Sequence, residues 1–129
     1  MKNISIKTIV TDERKMFVYW LEFLKPYHKL ANKETEALAI LLYYRHELSK
    51  EVNNEEHVRK LLFSSDIRNK VRNDLGGMKS GVFNNLLTTL RKKKVLSKEN
   101  KILPALIPNM KPSAKGFRLV FNFEIDERK

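Results

Sequence analysis

The sequence predicts an α+β fold, mainly α-helical, with helices filling the middle of the chain and one strand near each end. Three observations lead there. Between residues 12 and 92 the apolar residues recur at three- and four-residue intervals, which is the spacing of one face of an α-helix. Gly76-Gly77 interrupts that pattern where a helix would have to stop. Toward both ends the apolar period falls to two, in Ile4 and Ile6 and again in Phe117, Leu119, Phe121, Phe123 and Ile125, as in a strand with one face buried.

Taken in order, Asn3 to Val10 is rich in β-branched residues and is read as the first strand. A first helix is expected over Asp12 to Lys25. Met16, Tyr19, Trp20, Phe23 and Leu24 repeat at helical spacing, Asp12 and Glu13 suit a helix N-terminus, and Pro26 is expected to end it. Asn32 begins a second helix, with Glu34 in its first turn, and Leu38, Leu41, Leu42 and Leu48 make it apolar enough for the centre of a core. The polar run from Lys50 to Glu56 leads to His57-Val58-Arg59-Lys60-Leu61-Leu62-Phe63, read as a turn or two of helix or the start of the next element.

Ser64 or Ser65 then caps a helix carrying Ile67, Val71 and Leu75 four residues apart, which stops at Gly76-Gly77. A further helix starts at Ser80, with Phe83, Leu86, Leu87 and Leu90 as its apolar stripe. Gly76 to Lys79 is a short turn of the kind that joins two helices at a steep angle. After Arg91-Lys92-Lys93-Lys94, the order Val95-Leu96-Ser97, Lys98 to Lys101, Ile102-Leu103 has the layout of a short hairpin. Pro104, Pro108 and Pro112 disfavour a long strand, and Gly116 to Ile125 is the clearest strand of the chain.

With 129 residues the chain is read as one domain, comprising an N-terminal strand and helix over 1–31, a core over 32–125 and a tail over 126–129. Twenty-six Lys and Arg against fifteen Asp and Glu give a formal charge of +11. Such an excess draws polyanions without choosing among them, or it serves only to keep the chain dispersed. Cysteine is absent, so no disulfide or thiolate site exists. No apolar run approaches the roughly 20 residues of a membrane span, and the first residues lack the pattern of a secretory leader. The expectation is a cytoplasmic protein, without membrane partner.

The order helix, helix, Gly turn, helix, short hairpin resembles the winged helix-turn-helix fold of bacterial and phage DNA-binding regulators, over about Lys33 to Ile125. The phrase from Phe83 to Leu96, in which Leu90 precedes Arg91-Lys92 and Val95 enters the turn, looks like the end of a recognition helix running into its wing. The resemblance implies a regulator of transcription or replication, phage-encoded or bacterial, whose partner is double-stranded DNA.

The residues of that helix support the same expectation independently. At about 100° per residue, Phe83, Leu86, Leu87 and Leu90 share one face. Asn85, Thr88 and Lys92 lie opposite, with Asn84, Thr89 and Arg91 on the flanks. Asn pairs with adenine, Thr meets a thymine methyl or a phosphate, and Arg or Lys reaches guanine or phosphate. Lys79 and Ser80 at the helix start, Arg68 and Arg72 on the preceding helix, and Lys98 and Lys101 in the hairpin extend the expected contact along the backbone. The plainer reading is a solvated helix face whose terminal cations suit the helix dipole.

No catalytic constellation is present in the sequence. His28, His46 and His57 are scattered, with ordinary surface or loop roles expected, and Glu55-Glu56-His57 lacks the second histidine of a zinc hydrolase motif. Gly76-Gly77 is too short for a phosphate loop. A non-enzymatic protein is expected, with no cofactor, metal or small-molecule substrate. Phe17, Tyr19, Trp20, Phe23 and Tyr27 form a group that serves the core, stacks on single-stranded bases, or makes a homodimer through the N-terminal aromatic helix. The rival reading of the chain is an assembly or virion component that uses the same fold for protein contacts.

Overall fold

The structure is a computed structural model that describes the backbone of residues 2–10, 13–108 and 117–125 and the side chains of residues 14–108. It is mainly α-helical. Helices α1 (Glu13–Phe23), α2 (Lys25–His28), α3 (Asn32–Ser49), α4 (Glu55–Leu62), α5 (Ser65–Asp74) and α6 (Ser80–Lys92) are followed by a 3-10 turn at Pro104–Leu106. Strands β1 (Lys2–Val10) and β2 (Phe117–Ile125) pair antiparallel with each other, in a register running from Lys2 opposite Ile125 to Val10 opposite Phe117. The tail at 126–129 lies outside the described residues.

The helix boundaries follow from local chemistry. Glu34 Oε1 accepts the Ala31 N–H at 2.9 Å, occupying one of the free amides at the start of α3. Asn54 caps α4 by accepting the His57 N–H at 3.1 Å, and Ser64 caps α5 by accepting from Ile67. The helical start at Glu55 is therefore set by an Asn inside a stretch that reads only as polar. Pro26 does not terminate the first helical segment. The backbone breaks at Leu24, and Pro26 then occupies the first turn of α2, where its missing N–H costs nothing.

Helix α3 is central, packing against α1, α4 and α5. It buries Thr35, Ala37, Leu38, Ala39, Leu41, Leu42 and His46, so neighbours cover most of its circumference. Phe17 and Met16 from α1, Val71 from α5, and Phe83, Leu87 and Leu90 from α6 complete one continuous core. Each such side chain contributes about 1.5–3 kcal/mol by leaving water.

The first helix departs from the expected stripe. Its buried residues are Met16, Phe17 and Leu21, while Tyr19 and Phe23 are 46% and 44% exposed. Trp20 sits at the boundary, its indole N–H donating to the Leu106 carbonyl at 2.8 Å. Phe17 rather than Tyr19 faces α3, a choice that periodicity does not encode. His28 is also no surface residue. It is buried, with Nε2 at 2.7 Å from the Leu21 carbonyl and Nδ1 accepting the Leu30 N–H at 2.9 Å. That pairing uses the neutral Nε2–H tautomer to close the α2–α3 connection. His46 is buried beside the Phe17 ring, at 6.0 Å between centroids.

The expected wing strands are not seen. Residues 95–103 close through a single antiparallel bridge, Leu96 with Ile102, and β2 pairs with β1 rather than with this segment. Val95, Leu96 and Ile102 are all buried in the core. Their side chains are consumed inward within three residues of the turn, leaving no length for a projecting ladder.

Candidate nucleic-acid interface

The turn between α5 and α6 is built from two glycines and one arginine. Gly76 and Gly77 take φ of +79° and +78°, the left-handed region that costs a side-chain-bearing residue roughly 1–2 kcal/mol. The Arg72 carbonyl accepts the N–H groups of both Gly77 and Met78 at 3.0 Å. Its guanidinium Nε donates to the Met78 carbonyl at 2.9 Å, and Nη1 donates to Asn69 at 3.1 Å. Arg72 thus braces the turn from both ends of the residue. The residue is half-buried, so its charge stays near the surface.

The turn delivers α6 with its two faces separated. Phe83, Leu87 and Leu90 are buried and Leu86 is half-buried, while Asn84, Asn85, Thr88 and Lys92 are exposed and Thr89 and Arg91 are half-buried. No carboxylate lies on the helix. The hydroxyls of Thr88 and Thr89 donate to the carbonyls of Asn84 and Asn85 at 3.0 and 3.1 Å. With their protons held by the helix, these threonines present methyl groups and oxygen lone pairs outward. The Asn84 and Asn85 amides supply the hydrogen-bond donors of the face. Lys79 and Ser80 are exposed at the start of α6, and the side chain of Lys79 caps none of its first amides.

At the other end of α6, Arg91 donates from Nε and Nη2 to Asn100 Oδ1 at 3.2 and 2.6 Å. This clamps the 97–101 turn to the helix. Asn100 has φ of +64°, a conformation that Asn tolerates better than most residues. Ser97 closes the turn, its Oγ accepting the N–H groups of Glu99 and Lys101 at 3.2 and 3.1 Å. Arg59 ties the same turn to α4, donating to the Glu99 carbonyl at 2.8 Å while gripping Glu56 with Nη2 at 2.7 Å. That grip holds the Glu56 carboxyl below the usual carboxylate range. Lys98 and Lys101 are exposed on the turn.

The structure therefore gathers Arg91, Lys98 and Lys101 around one braced turn, and sets Asn84, Asn85, Thr88 and Lys92 along one helix face. Arg68 lies on α5. It is half-buried with its guanidinium 6.0 Å over the Phe63 ring, at the junction of α4 and α5. Arg59 and Asn100 were not legible as partners of the site. Only the left-handed preference of Asn in a Lys-Glu-Asn-Lys turn hinted at the second.

Two further ion-paired groups hold the helices in place. Lys93, just past α6, contacts Glu34 at the start of α3, and this hydrogen bond, above all, lowers the Glu34 carboxyl below its ordinary value. Tyr44 donates to Asp74 at 2.5 Å, and Arg14 lies 3.3 Å from the same carboxylate. Burial, with the Asp74 bond, pushes the Tyr44 hydroxyl up to about 12. Among the described residues, no cluster of three or more His, Asp or Glu could hold a metal ion, and no helix is long and apolar enough to cross a membrane.

Fold and site together define a mainly helical protein that presents a basic, carboxylate-free helix across a hydrogen-bonded glycine turn. No protein-family model matches the chain, and no curated protein or solved structure is significantly similar to it.

Proposed function

We propose that this protein binds double-stranded DNA, with α6 entering the major groove and the 97–101 turn lying against the backbone, as a non-enzymatic regulator of transcription or replication. The reading treats α5, the glycine turn and α6 as a helix-turn-helix and the turn at 97–101 as a much reduced wing. One observation carries it: every exposed side chain of α6 beyond its first turn is an amide, a hydroxyl or a cation. A helix face with donors, acceptors and positive charge but no carboxylate complements base edges flanked by phosphates. A face that merely contacts water has no reason to exclude Glu, a strong helix former.

The test is fluorescence anisotropy with a random 25-base-pair duplex. The substitutions Asn85→Glu and Lys92→Glu together place two carboxylates on the exposed face without touching the core. Loss of binding in this variant, at unchanged thermal stability, supports the assignment. Unchanged affinity overturns it.

A second reading, an assembly protein that self-associates, is favoured by one observation. Tyr19, Phe23 and Tyr27 are exposed at four-residue intervals along α1 and α2, Tyr27 by 64%. A homodimer buried through these rings is expected to dissociate on Tyr27→Glu, measured by sedimentation equilibrium.

A further inference from the structure

The segment from Lys94 to Pro104 and helix α4 form the two walls of a half-open groove of about 680 Å³, within the range of about 300–1,000 Å³ typical of ligand pockets. Its floor is apolar, with Leu103, Pro104 and Ile107 partly exposed over the buried Leu62, Leu96 and Ile102. Its rim is basic: Arg59, Lys94, Lys98 and Lys101 stand around it against only Glu55 and Glu56, and Glu56 is already held by Arg59.

We propose that this groove docks an acidic segment of a partner protein, which inserts leucine-like side chains onto the floor and sets its carboxylates against the lysines of the rim. The floor and the rim make different demands, and an amphipathic acidic segment meets both. A nucleic-acid backbone would satisfy the rim and leave the floor unfilled. A second copy of this chain would bring its own excess of +11 charge toward a basic rim, which is repulsive. An acidic helix in an apolar groove is a recurrent mode of peptide recognition, anchored by residues at helical spacing. Asn84, Asn85 and Thr88 do not line the groove, so the inference stands or falls separately from the contact of the α6 face with DNA. Arg91, Lys98 and Lys101 belong to both surfaces, and an acidic partner therefore competes with DNA for the turn.

The probe is a fluorescein-labelled peptide with leucines at helical spacing and glutamate elsewhere, titrated with the full chain by anisotropy. Its control replaces every leucine with serine at the same charge. The expected result is saturable binding of the leucine peptide, weakened at least tenfold in the serine control and at least tenfold by Leu103→Asp. Because Leu103 is half-buried, thermal melting accompanies that variant, and Pro104→Asp, at an exposed lining position, repeats the test without disturbing the core. Equal binding of the two peptides would reduce the groove to a basic patch and overturn the proposal. So would full binding to Pro104→Asp, or saturation by palmitate at concentrations where the peptide does not bind.

Discussion

For the proposed contact with DNA, the salt dependence of affinity follows from the exposed cations. Lys79, Lys92, Lys98 and Lys101 are exposed at the start of α6, near its end and on the following turn. Arg72 and Arg91 are engaged with Met78 and Asn100, which leaves the four lysines to meet phosphate. If each of the four lysines neutralises one phosphate, log affinity falls with log salt at a slope of about −3.6. Raising salt fourfold, from 50 to 200 mM, then weakens binding about 150-fold. Removing one contact by Lys92→Ala shifts the slope to about −2.7 and the loss to about 40-fold over the same interval. Anisotropy titrations of a labelled 25-base-pair duplex at five salt concentrations measure both slopes. A slope shallower than about −1 in the unaltered protein would refute the backbone contacts, and an unchanged slope in Lys92→Ala would remove that lysine from the interface.

Further outcomes follow from the packing and the ion pairs. Gly77→Ala meets no atom within 4 Å, so its cost of roughly 1–2 kcal/mol is conformational alone, read as a lower urea midpoint; an unchanged midpoint would show that the turn relaxes freely. Leu90→Ala, at a site with no exposed surface, is expected to cost about 2–5 kcal/mol in the same assay, and a loss below about 1 kcal/mol would place α6 outside the core. The lowered Glu34 carboxyl means that the unfolded chain binds its proton more tightly, so its contribution is present above the ordinary glutamate value and is lost as pH falls through the lowered native one. Lys93→Met should therefore be less stable than the unaltered protein at neutral pH and converge with it in acid, whereas a constant gap would assign the effect to something other than this pair. Tyr44, one of four tyrosines, should ionise in a late step near 12 in a spectrophotometric titration, and persistence of that step in Tyr44→Phe would contradict its burial beside Asp74.

Much of the helical core was legible because it depends on short-range periodicity. Val71 with Leu75, and Phe83 with Leu87 and Leu90, are buried where their spacing places them, since a helix wide enough to expose Asn85 and Thr88 must turn those residues the other way. Gly76 and Gly77 marked the turn because only glycine enters the left-handed region without penalty. The outward face of α6 needed no tertiary information at all.

What the sequence determined, then, is the set of helices near the candidate site and the chemistry each carries outward, because both follow from residue type and a period of 3.6. What only the tertiary structure decided is which long-range partners hold those pieces. Arg91 on Asn100, Arg59 across to Glu99, Lys93 on Glu34 and Trp20 on Leu106 join residues far apart along the chain or across a turn, and no local propensity encodes them. The same is true of the burial of Phe17 in place of Tyr19, the single bridge that closes residues 95–103, and the groove between α4 and the segment after α6. Each depends on how finished helices dock, and docking is settled by the shapes that meet rather than by the order in which they are written.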